Sequence, residues 1–346
     1  MKPYLLLFSL CFITASGCKK SSPINPGTGP DVYVSGYVTY PSGLNAAAYW
    51  KNGTAILLAG ASLYSNAQAI SVQGNTIYAA GYTTAGNGKP VATVWKNNVA
   101  TKLTDTLYNS VANAMFVNGS DVYVAGDILG ADGYWTPHYW KNGVDVPLPT
   151  NGSKAYASAR CIFVNGQDIY VGGHASVDGT SQEATFWKNG IETILTQYTS
   201  NSSVEAVAIA DNNIYLAGVI NIAGYNSAIY WKNGTANNIS VANTVASASG
   251  LKISGNRIFV AGVEENLQTT VNGQHLIYWK NDPAAVPLVD FDQNAAHADQ
   301  TGGIDVFNAD TYVAGATGGK SACYWKNGNS VVLGDGVGHG IAVVGH

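Results

Sequence analysis

Between residues 31 and 346 the chain consists of short runs in which apolar and polar residues alternate, separated by turns rich in glycine and asparagine. Such alternation puts every second side chain on the same face, so each run predicts a β-strand with one buried face. In the stretch 114–148 the predicted strands are Ala114–Asn118, Val122–Ala125, Tyr139–Trp140 and Val144–Leu148. The pattern therefore predicts an all-β fold.

The strand pattern belongs to a repeat. A Trp-Lys-Asn signature occurs seven times at intervals of 44 to 48 residues, with its tryptophan at Trp50, Trp95, Trp140, Trp187, Trp231, Trp279 and Trp325. A second signature of the type Val-Tyr-Val-Ala-Gly lies upstream of each, with its last residue at Gly36, Gly81, Gly126, Gly173, Gly218, Gly262 and Gly315. Because the two signatures recur in step, they define seven units of four strands each.

Asparagine and glycine join the third strand of most units to the fourth, as at Asn142-Gly143. Both central residues of a type I′ hairpin need a positive φ, which asparagine tolerates and glycine adopts freely. The second unit keeps this chemistry with Asn97-Asn98, whereas Asn281-Asp282-Pro283 predicts a longer turn in the sixth unit.

Four strands in about 46 residues match one blade of a β-propeller, and an open β-solenoid is the alternative. The repeats begin at Asp31 with a second strand that lacks its first, and Gly340–His346 is a first strand that lacks its second. A ring that pairs these two segments explains both ends, whereas a solenoid leaves both as unpaired edges. We therefore predict a seven-bladed β-propeller with terminal strand closure.

The hairpin of each unit resembles the HAF repeat of bacterial exported proteins, in which a Trp-x-Asn-Gly turn is followed by a leucine. In the third unit Trp140, Asn142, Gly143 and Leu148 stand at such positions. The resemblance covers most of each unit. It implies an exported, kelch-like β-repeat protein, and it implies no catalytic residue.

Residues 1–17 have the features of a signal peptide: Lys2 supplies a positive charge and Leu5–Ile13 an apolar stretch. The next feature, Ala15-Ser16-Gly17-Cys18, resembles the lipobox of bacterial lipoproteins, although Ala15 stands where leucine is usual. That resemblance implies that Cys18 becomes the lipidated first residue of the mature chain. Residues 18–30 then comprise the lipidated cysteine and a flexible linker, and residues 31–346 the propeller.

An ordinary secretory signal that contains a cysteine is the alternative, while an uncleaved membrane-spanning helix would need about 20 apolar residues. We expect a cell-envelope protein that meets the membrane through its lipid anchor. Lys19 does not resemble the aspartate that retains some lipoproteins in the inner membrane, which favours the outer membrane.

Charged residues make up 11% of the chain and its net charge is −4. Since no cluster of basic residues exists beyond Lys19 and Lys20, nucleic acid is excluded as a partner. Cys161 and Cys323 remain after processing, and their separation by three units predicts two buried free thiols. We expect a monomer that holds no cofactor and no metal.

A residue type required in every unit serves packing, so the repeat tryptophans are expected to fill the space between sheets. Binding residues are expected where units differ, on the face that carries the second-to-third-strand loops and the crossovers between units. We call this the loop face, and the opposite end the turn face. The stretch Asp127 to His138 on the loop face contains Asp132, Tyr134 and Trp135, the one tryptophan outside the repeat. These residues predict stacking on a sugar ring, unless Trp135 folds back over the ring edge as a plug.

A second candidate site is one column of the repeat alignment, just before each innermost strand: Gln68, Asn113, Arg160, Glu205, Ser249, Gly302 and His339. In a ring these residues surround one mouth of the central channel, where converging side chains can hold a small polar ligand. The alternative is that Arg160 pairs with Glu205 of the next unit and that water solvates the others.

Signals for catalysis are weak, since the six histidines show no metal-ligand spacing and no nucleophile elbow occurs. The segment Asp290–Asn294 resembles the start of a calcium loop but lacks its glycine and glutamate. Glycoside hydrolysis needs two carboxylates, for which the candidates are Asp127, Asp132, Glu183 and Glu205. The sequence therefore favours a non-catalytic binding module for glycan or protein over a polysaccharide-cleaving hydrolase or lyase, with an architectural envelope subunit as a third hypothesis.

Overall fold

The computed structural model describes residues 29–60, 64–150, 153–176, 181–196, 201–240, 244–266, 274–281, 288–290, 301–318 and 320–346. All regular elements in this part of the chain are β-strands, which confirms the all-β prediction. Cys18, the predicted signal peptide and residues 291–294 of the calcium-loop-like segment lie outside it.

The strands in chain order are β1 (Asp31–Thr39), β2 (Asn45–Lys51), β3 (Thr54–Leu57), β4 (Ser65–Gln73), β5 (Thr76–Thr84), β6 (Pro90–Lys96), β7 (Val99–Lys102), β8 (Ser110–Asn118), β9 (Asp121–Leu129), β10 (Trp135–Lys141), β11 (Val144–Pro147), β12 (Ser153–Asn165), β13 (Asp168–Ser176), β14 (Glu183–Lys188), β15 (Ile191–Ile194), β16 (Ser203–Ala210), β17 (Asn213–Ile222), β18 (Tyr225–Lys232), β19 (Thr235–Asn238), β20 (Thr244–Ser254), β21 (Arg257–Asn266), β22 (Gln274–Asn281), β23 (Leu288–Asp290), β24 (Thr301–Phe307), β25 (Asp310–Thr317), β26 (Ser321–Lys326) and β27 (Asn329–Val344). The strands of the third unit are longer than predicted, except for β11, which ends at Pro147. Antiparallel pairing of β9 with β10 continues through Asp127 and Pro137, which the apolar pattern does not mark as strand.

The strands form four-stranded antiparallel sheets, an architecture consistent with a β-propeller. Within the described residues, five sheets follow the chain as β4–β7, β8–β11, β12–β15, β16–β19 and β20–β23, each with its four strands in sequence order. The remaining strands join in one sheet of order β24-β25-β26-β27-β1-β2-β3. The innermost strands β4, β8, β12, β16, β20, β24 and β27 contact one another in succession, and β27 contacts β4.

Strand β27 links the last unit to the first. Its first half pairs with β26, from Asn329 opposite Lys326 onward. Its second half pairs with β1, from Gly336 opposite Val38 to Val344 opposite Asp31. The tail thus supplies the missing inner strand of the first unit, as the sequence predicts, although the pairing starts at Gly336 and not at Gly340.

Each inner strand carries a β-bulge at the predicted channel column. Pairing of β8 with β9, for example, skips Asn113 between Ala112 and Ala114. The same shift falls at the column residue in the other inner strands. A bulge turns the extra side chain out of the ladder. It also explains the signature glycine, because a Cβ on Gly126 would lie 2.0 Å from the carbonyl oxygen of Val111.

The core lies between neighbouring sheets, where the repeat tryptophans are at most 2% exposed. One cluster joins Val124 of the third unit and Trp140 to Ala80 and Ala92 of the second. Another joins Trp50 of the first unit to Tyr312 and Tyr324 of the last. Side-chain packing therefore joins these two units in addition to the backbone pairing of β27. The prediction that these tryptophans serve packing is confirmed. Cys161 and Cys323 are also buried and free, as expected.

The turn face explains the rest of the Trp-Lys-Asn signature. Asn142 and Gly143 both have positive φ, at 52° and 81°, as a type I′ turn requires. The Asn142 side chain accepts from the Val122 N–H at 2.8 Å and donates to Asp121 Oδ1 at 2.9 Å. Lys141 Nζ lies 3.3 Å from Asp121 Oδ2 and 5.3 Å from the centre of the Tyr123 ring. Equivalent contacts recur in other units, which shows that the signature locks the hairpin to the second strand.

None of the described segments forms a helix of the length and hydropathy that spanning a membrane demands.

Candidate functional site

A cavity of about 530 Å³ opens on the loop face between the third and fourth units. Its walls come from β8, β9, the start of β10, β12 and β13 together with the 130–134 loop and a residue before β14. The lining residues are Val111, Asn113, Asp127, Gly133, Tyr134, Trp135, Ala157, Ser158, Arg160, His174 and Gln182. The cavity therefore brings together residues of both candidate sites predicted from the sequence.

Asp127 lies at the base of this cavity and is only 5% exposed. Its Oδ2 accepts hydrogen bonds from Ser158 Oγ at 2.7 Å and from Asn113 Nδ2 at 2.8 Å. Its Oδ1 accepts from the Ala159 N–H at 2.8 Å. The carboxyl group thus bridges the third and fourth sheets. Burial raises its pKa to about 6, against the opposing effect of these hydrogen bonds and of Arg160.

Arg160 and His174 form the fourth-unit wall of the cavity. Arg160 Nε donates to Glu205 Oε2 at 3.2 Å, and the charge of Glu205 raises the arginine pKa. Burial lowers the pKa of His174 to about 4, although Glu205 opposes this shift. At neutral pH the cavity therefore presents one carboxylate, one guanidinium and a neutral imidazole that can accept or donate a hydrogen bond.

The aromatic wall comes from Tyr134 and Trp135, which end the hairpin loop of the third unit. Tyr134 is 49% exposed and Trp135 is half-buried at the start of β10, opposite Leu129. Asp132 does not line the cavity. Its Oδ1 accepts a hydrogen bond from the Tyr134 N–H within the loop. The predicted loop is therefore shorter than expected, because Asp127 belongs to β9 and Trp135 to β10.

His138 was expected beside Trp135, and the structure places it elsewhere. Side chains alternate along β10, so His138 shares a face with Trp140, on which its ring stacks at 6.1 Å. Its Nδ1 lies 2.8 Å from Asp145 Oδ1 on the neighbouring outer strand, and its Nε2 lies 3.0 Å from Thr136 Oγ1. His138 therefore takes no part in the cavity.

A central channel of about 340 Å³ is lined by every residue of the predicted column: Gln68, Asn113, Arg160, Glu205, Ser249, Gly302 and His339. The ion pair of Arg160 with Glu205 crosses from the fourth unit to the fifth, as the alternative interpretation of the sequence expected. On the opposite side, the Asn66 amide nitrogen lies 3.1 Å from His339 Nε2. Burial lowers the pKa of His339 to about 4, so this imidazole is a neutral acceptor at neutral pH.

Asn113 and Arg160 line both the cavity and the channel, so the two spaces meet at these side chains. Asn113 Nδ2 donates both to Asp127 and to the Ala159 carbonyl, which fixes the amide at this junction. Among the described residues, no group of three or more histidine, cysteine, aspartate or glutamate side chains could hold a metal ion.

Sequence reasoning missed Ser158, His174 and Gln182 as cavity residues. One signal could have found His174, because it directly follows the signature glycine Gly173 just as Asp127 follows Gly126. The residue after the signature glycine varies among the units, and it lies toward the loop-face end of the second strand. Ser158 and Gln182 carry no comparable signal in the sequence.

No protein-family model matches the chain, and no curated protein matches it. Among solved structures it is similar to a puromycin-hydrolyzing peptidase of Mycobacterium tuberculosis, with a TM-score of 0.58 and 10% identity over 89% of this chain and 53% of that one. It is also similar to a sialidase of Trypanosoma rangeli solved with sialic acid, with a TM-score of 0.46 and 8% identity over 90% and 57%. The chain thus spans little more than half the length of either protein. The first likeness supports the fold alone.

Proposed function

We propose that the chain is a lipid-anchored, seven-bladed β-propeller of a bacterial cell envelope that binds glycan in the cavity between its third and fourth units. The binding is non-catalytic in this proposal. One observation carries it: Trp135 and Tyr134 form an aromatic wall beside polar groups of Asn113, Arg160 and His174 in one open cavity.

This combination suits a sugar. The C–H face of a pyranose packs against an aromatic ring, while its hydroxyl groups need donors and acceptors at fixed positions. Arg160 donates, neutral His174 can accept, and Asp127 Oδ1 keeps room for a second hydrogen bond beside that from Ala159. The volume of about 530 Å³ lies within the usual range for small-molecule sites.

Seven blades are proposed because seven sequence units match the observed sheets when β27 is shared between the last unit and the first. Contacts between successive inner strands, including that of β27 with β4, support a closed ring. In an open solenoid the first and last units would not contact each other.

The envelope location rests on the sequence around Cys18. Replacing Cys18 by serine in the full chain is expected to abolish labelling with radioactive palmitate in a Gram-negative host and to release the protein from the membrane fraction. The matched control is Cys11→Ser, because Cys11 is removed with the signal peptide in this proposal. Equal labelling of wild type and Cys18→Ser would contradict the lipid anchor.

Glycan binding is tested with residues 19–346 on an array of neutral, acidic and amino oligosaccharides, followed by titration calorimetry with the sugars that bind. Trp135→Ala is expected to weaken that binding by about tenfold or more, equivalent to about 1.4 kcal/mol or more, because it removes the large apolar ring face on which the sugar packs. Trp135→Phe is expected to restore part of the affinity.

Tyr225→Ala is the control variant for this test. Tyr225 is 54% exposed and precedes its unit's Trp231 by the same interval that separates Tyr134 from Trp140, but it lies away from the cavity. It should bind the sugar as wild type does. If Trp135→Ala binds the sugar as well as wild type does, or if no sugar on the array binds, the cavity is not a glycan site.

A polysaccharide-cleaving enzyme is the second candidate, because Tyr134 and His174 line the same cavity. A two-carboxylate hydrolase has less support, since Asp127 is the one acid among the lining residues and already accepts three hydrogen bonds. Incubation of the bound polysaccharide with the protein separates the two functions. If wild type generates new reducing ends or unsaturated ends and His174→Ala does not, the function is catalysis and not binding alone.

A further inference from the structure

Exposed aromatic rings are confined to the loop face in the part of the chain that the structure describes. The large aromatic side chains that are strongly exposed are Tyr64, Tyr108, Tyr134 and Tyr225, between 44% and 54%. Each lies in a crossover between units or in a second-to-third-strand hairpin at that face. By contrast, the exposed Val99, Val144 and Ile191 begin outer strands at the turn face. The loop face therefore offers ring surfaces to solvent that the turn face does not.

Three of the four tyrosines lie in adjoining units, and hydrogen bonds connect the crossovers that carry Tyr64 and Tyr108 to the second-unit hairpin. On one side of the second unit, the Tyr64 carbonyl accepts from the Thr84 N–H at 2.9 Å and from Thr84 Oγ1 at 2.6 Å. On the other side, Lys89 Nζ donates to the Leu107 carbonyl at 2.6 Å, next to Tyr108. Tyr64 and Tyr108 thus flank the hairpin of the second unit.

The same hydrogen-bonded path continues from Tyr108 to the cavity. The Asn109 carbonyl accepts from the Leu129 N–H at 2.8 Å, and Leu129 pairs with Trp135. Tyr108 is therefore separated from the aromatic wall of the cavity by one strand, β9. We call the series Trp135, Tyr134, Tyr108 and Tyr64 the aromatic arc.

The arc is longer than any ligand confined to the cavity. Tyr108 and Tyr64 lie outside the lining of the cavity, and the bent hydrogen-bonded path from Trp135 to Tyr64 is on the order of 30 Å long when counted strand by strand and residue by residue. A ligand that uses the cavity and the rings beyond it must therefore be an extended chain.

The groups between the rings are mostly polar and of mixed charge, although the exposed Leu107 stands next to Tyr108. Thr84, Asn87 and Lys89 of the second-unit hairpin lie between Tyr64 and Tyr108. Asp105 Oδ1 accepts from the Leu107 N–H in the adjoining crossover. Rings alternating with amide, hydroxyl and isolated charged groups suit a chain of neutral sugars better than an acidic polymer or an apolar peptide.

We propose that the aromatic arc binds successive sugars of a linear, neutral polysaccharide that runs from the cavity across the third and second units. This inference rests on the proposed function, because the cavity supplies the first subsite. It names the substrate class as an internal segment of a long chain, in contrast to a single terminal sugar.

The test uses cello-, xylo-, manno- and chito-oligosaccharides from disaccharide to octasaccharide, with oligogalacturonides as the acidic comparison, titrated into residues 19–346. Affinity is expected to rise with length in the neutral series that binds. Tyr64→Ala and Tyr108→Ala are each expected to weaken octasaccharide binding by about three- to tenfold, which is about 0.7–1.4 kcal/mol at about 1.4 kcal/mol per factor of ten. Binding of the disaccharide should not change.

Tyr225→Ala again serves as the control, because it removes an exposed loop-face tyrosine of the fifth unit that lies outside the arc. Thermal melts of all three variants should match wild type, since the replaced side chains are exposed. If the disaccharide binds through Trp135 while length and both tyrosines have no effect, the arc is wrong and the cavity proposal stands. If no sugar of any length binds, both the cavity proposal and the aromatic-arc proposal are wrong.

Discussion

Deleting residues 336–346 is expected to abolish the cooperative native state of the isolated repeat domain. The deletion removes the half of β27 that pairs with β1 from Gly336 to Val344. The first sheet would then lose its inner strand, and the contact of β27 with β4 would disappear. The two ends of the repeat array would become unpaired edges, which favour aggregation.

The magnitude follows from the side chains that this segment buries. Val337 is 5% exposed, and Ile341 and Val343 pack on the cluster that contains Trp50 and Tyr312. Val344 packs on the next cluster, between the first and second units. Val337 is buried and the other three are partly buried, so at about 1.5–3 kcal/mol for a fully buried aliphatic side chain and about half of that for the others, the loss is roughly 4–8 kcal/mol. Domains are stable by only about 5–15 kcal/mol, so the truncated protein should not melt as one unit.

The matched control deletes only residues 345–346, which follow the paired strand. It loses the surface contact of His346 with Asp31, which is worth little at 63% exposure of the histidine. Circular dichroism melts and size-exclusion chromatography compare the two proteins, and a synthetic peptide of residues 336–344 added in trans should restore the melt. A cooperative melt of the longer deletion at the control's temperature would show that closure contributes little.

The architecture was predictable from the sequence because the same pattern occurs in seven units, so a position that is ambiguous in one unit is resolved by the others. One Trp-Lys-Asn motif would say little, whereas seven in step with seven glycine signatures determine unit length, strand order and packing role. The abutting ends at Asp31 and His346 even predict which strands pair. What repetition could not reveal is the bulge at Asn113 and its equivalents, since an extra unpaired residue leaves the apolar alternation looking continuous.

The candidate site was predictable only in part, because it lies where repeats differ. Trp135 was recognisable as the tryptophan outside the pattern, and Asn113 and Arg160 as members of a variable column. Their convergence in one cavity depends on the third and fourth units being neighbours, which the contacts of β8 and β9 with β12 show. His138 does not line the cavity as expected, because one position along a strand changes the face and its hydrogen bond to Asp145 lies on the other face.

Replacing Asp127 by asparagine is expected to change how stability depends on pH, because this carboxyl group is buried with a pKa near 6. The unfolded chain has the ordinary value of 3.8. Since the folded pKa is raised, the folded state binds the proton more tightly. The resulting stabilisation is fully present below pH 3.8 and is lost as the pH rises through 6.

The expected size is about 3 kcal/mol, since one pKa unit corresponds to about 1.36 kcal/mol. Asparagine does not titrate, so the free energy of unfolding of the variant minus that of wild type should rise by about this amount between pH 3 and pH 8. His174 and His339 act in the opposite direction, because their lowered pKa values make the folded state weaker at acid pH. Both histidines are present in both proteins, so their effect largely cancels in the difference.

Urea unfolding of wild type and Asp127→Asn at closely spaced pH values gives this difference directly, and Asp121→Asn serves as the control on an exposed carboxylate of the same sheet. The pKa of Asp121 is lowered by hydrogen bonds from Asn142 and Lys141, so its difference curve should slope the other way and be small. The physical question is whether burial or hydrogen bonding dominates at Asp127. Donors from Ser158, Ala159 and Asn113 favour the ionised form, and burial opposes it. A difference that falls as the pH rises would mean that the three donors win, that Asp127 is ionised well below pH 6, and that the cavity carries a permanent negative charge at its base.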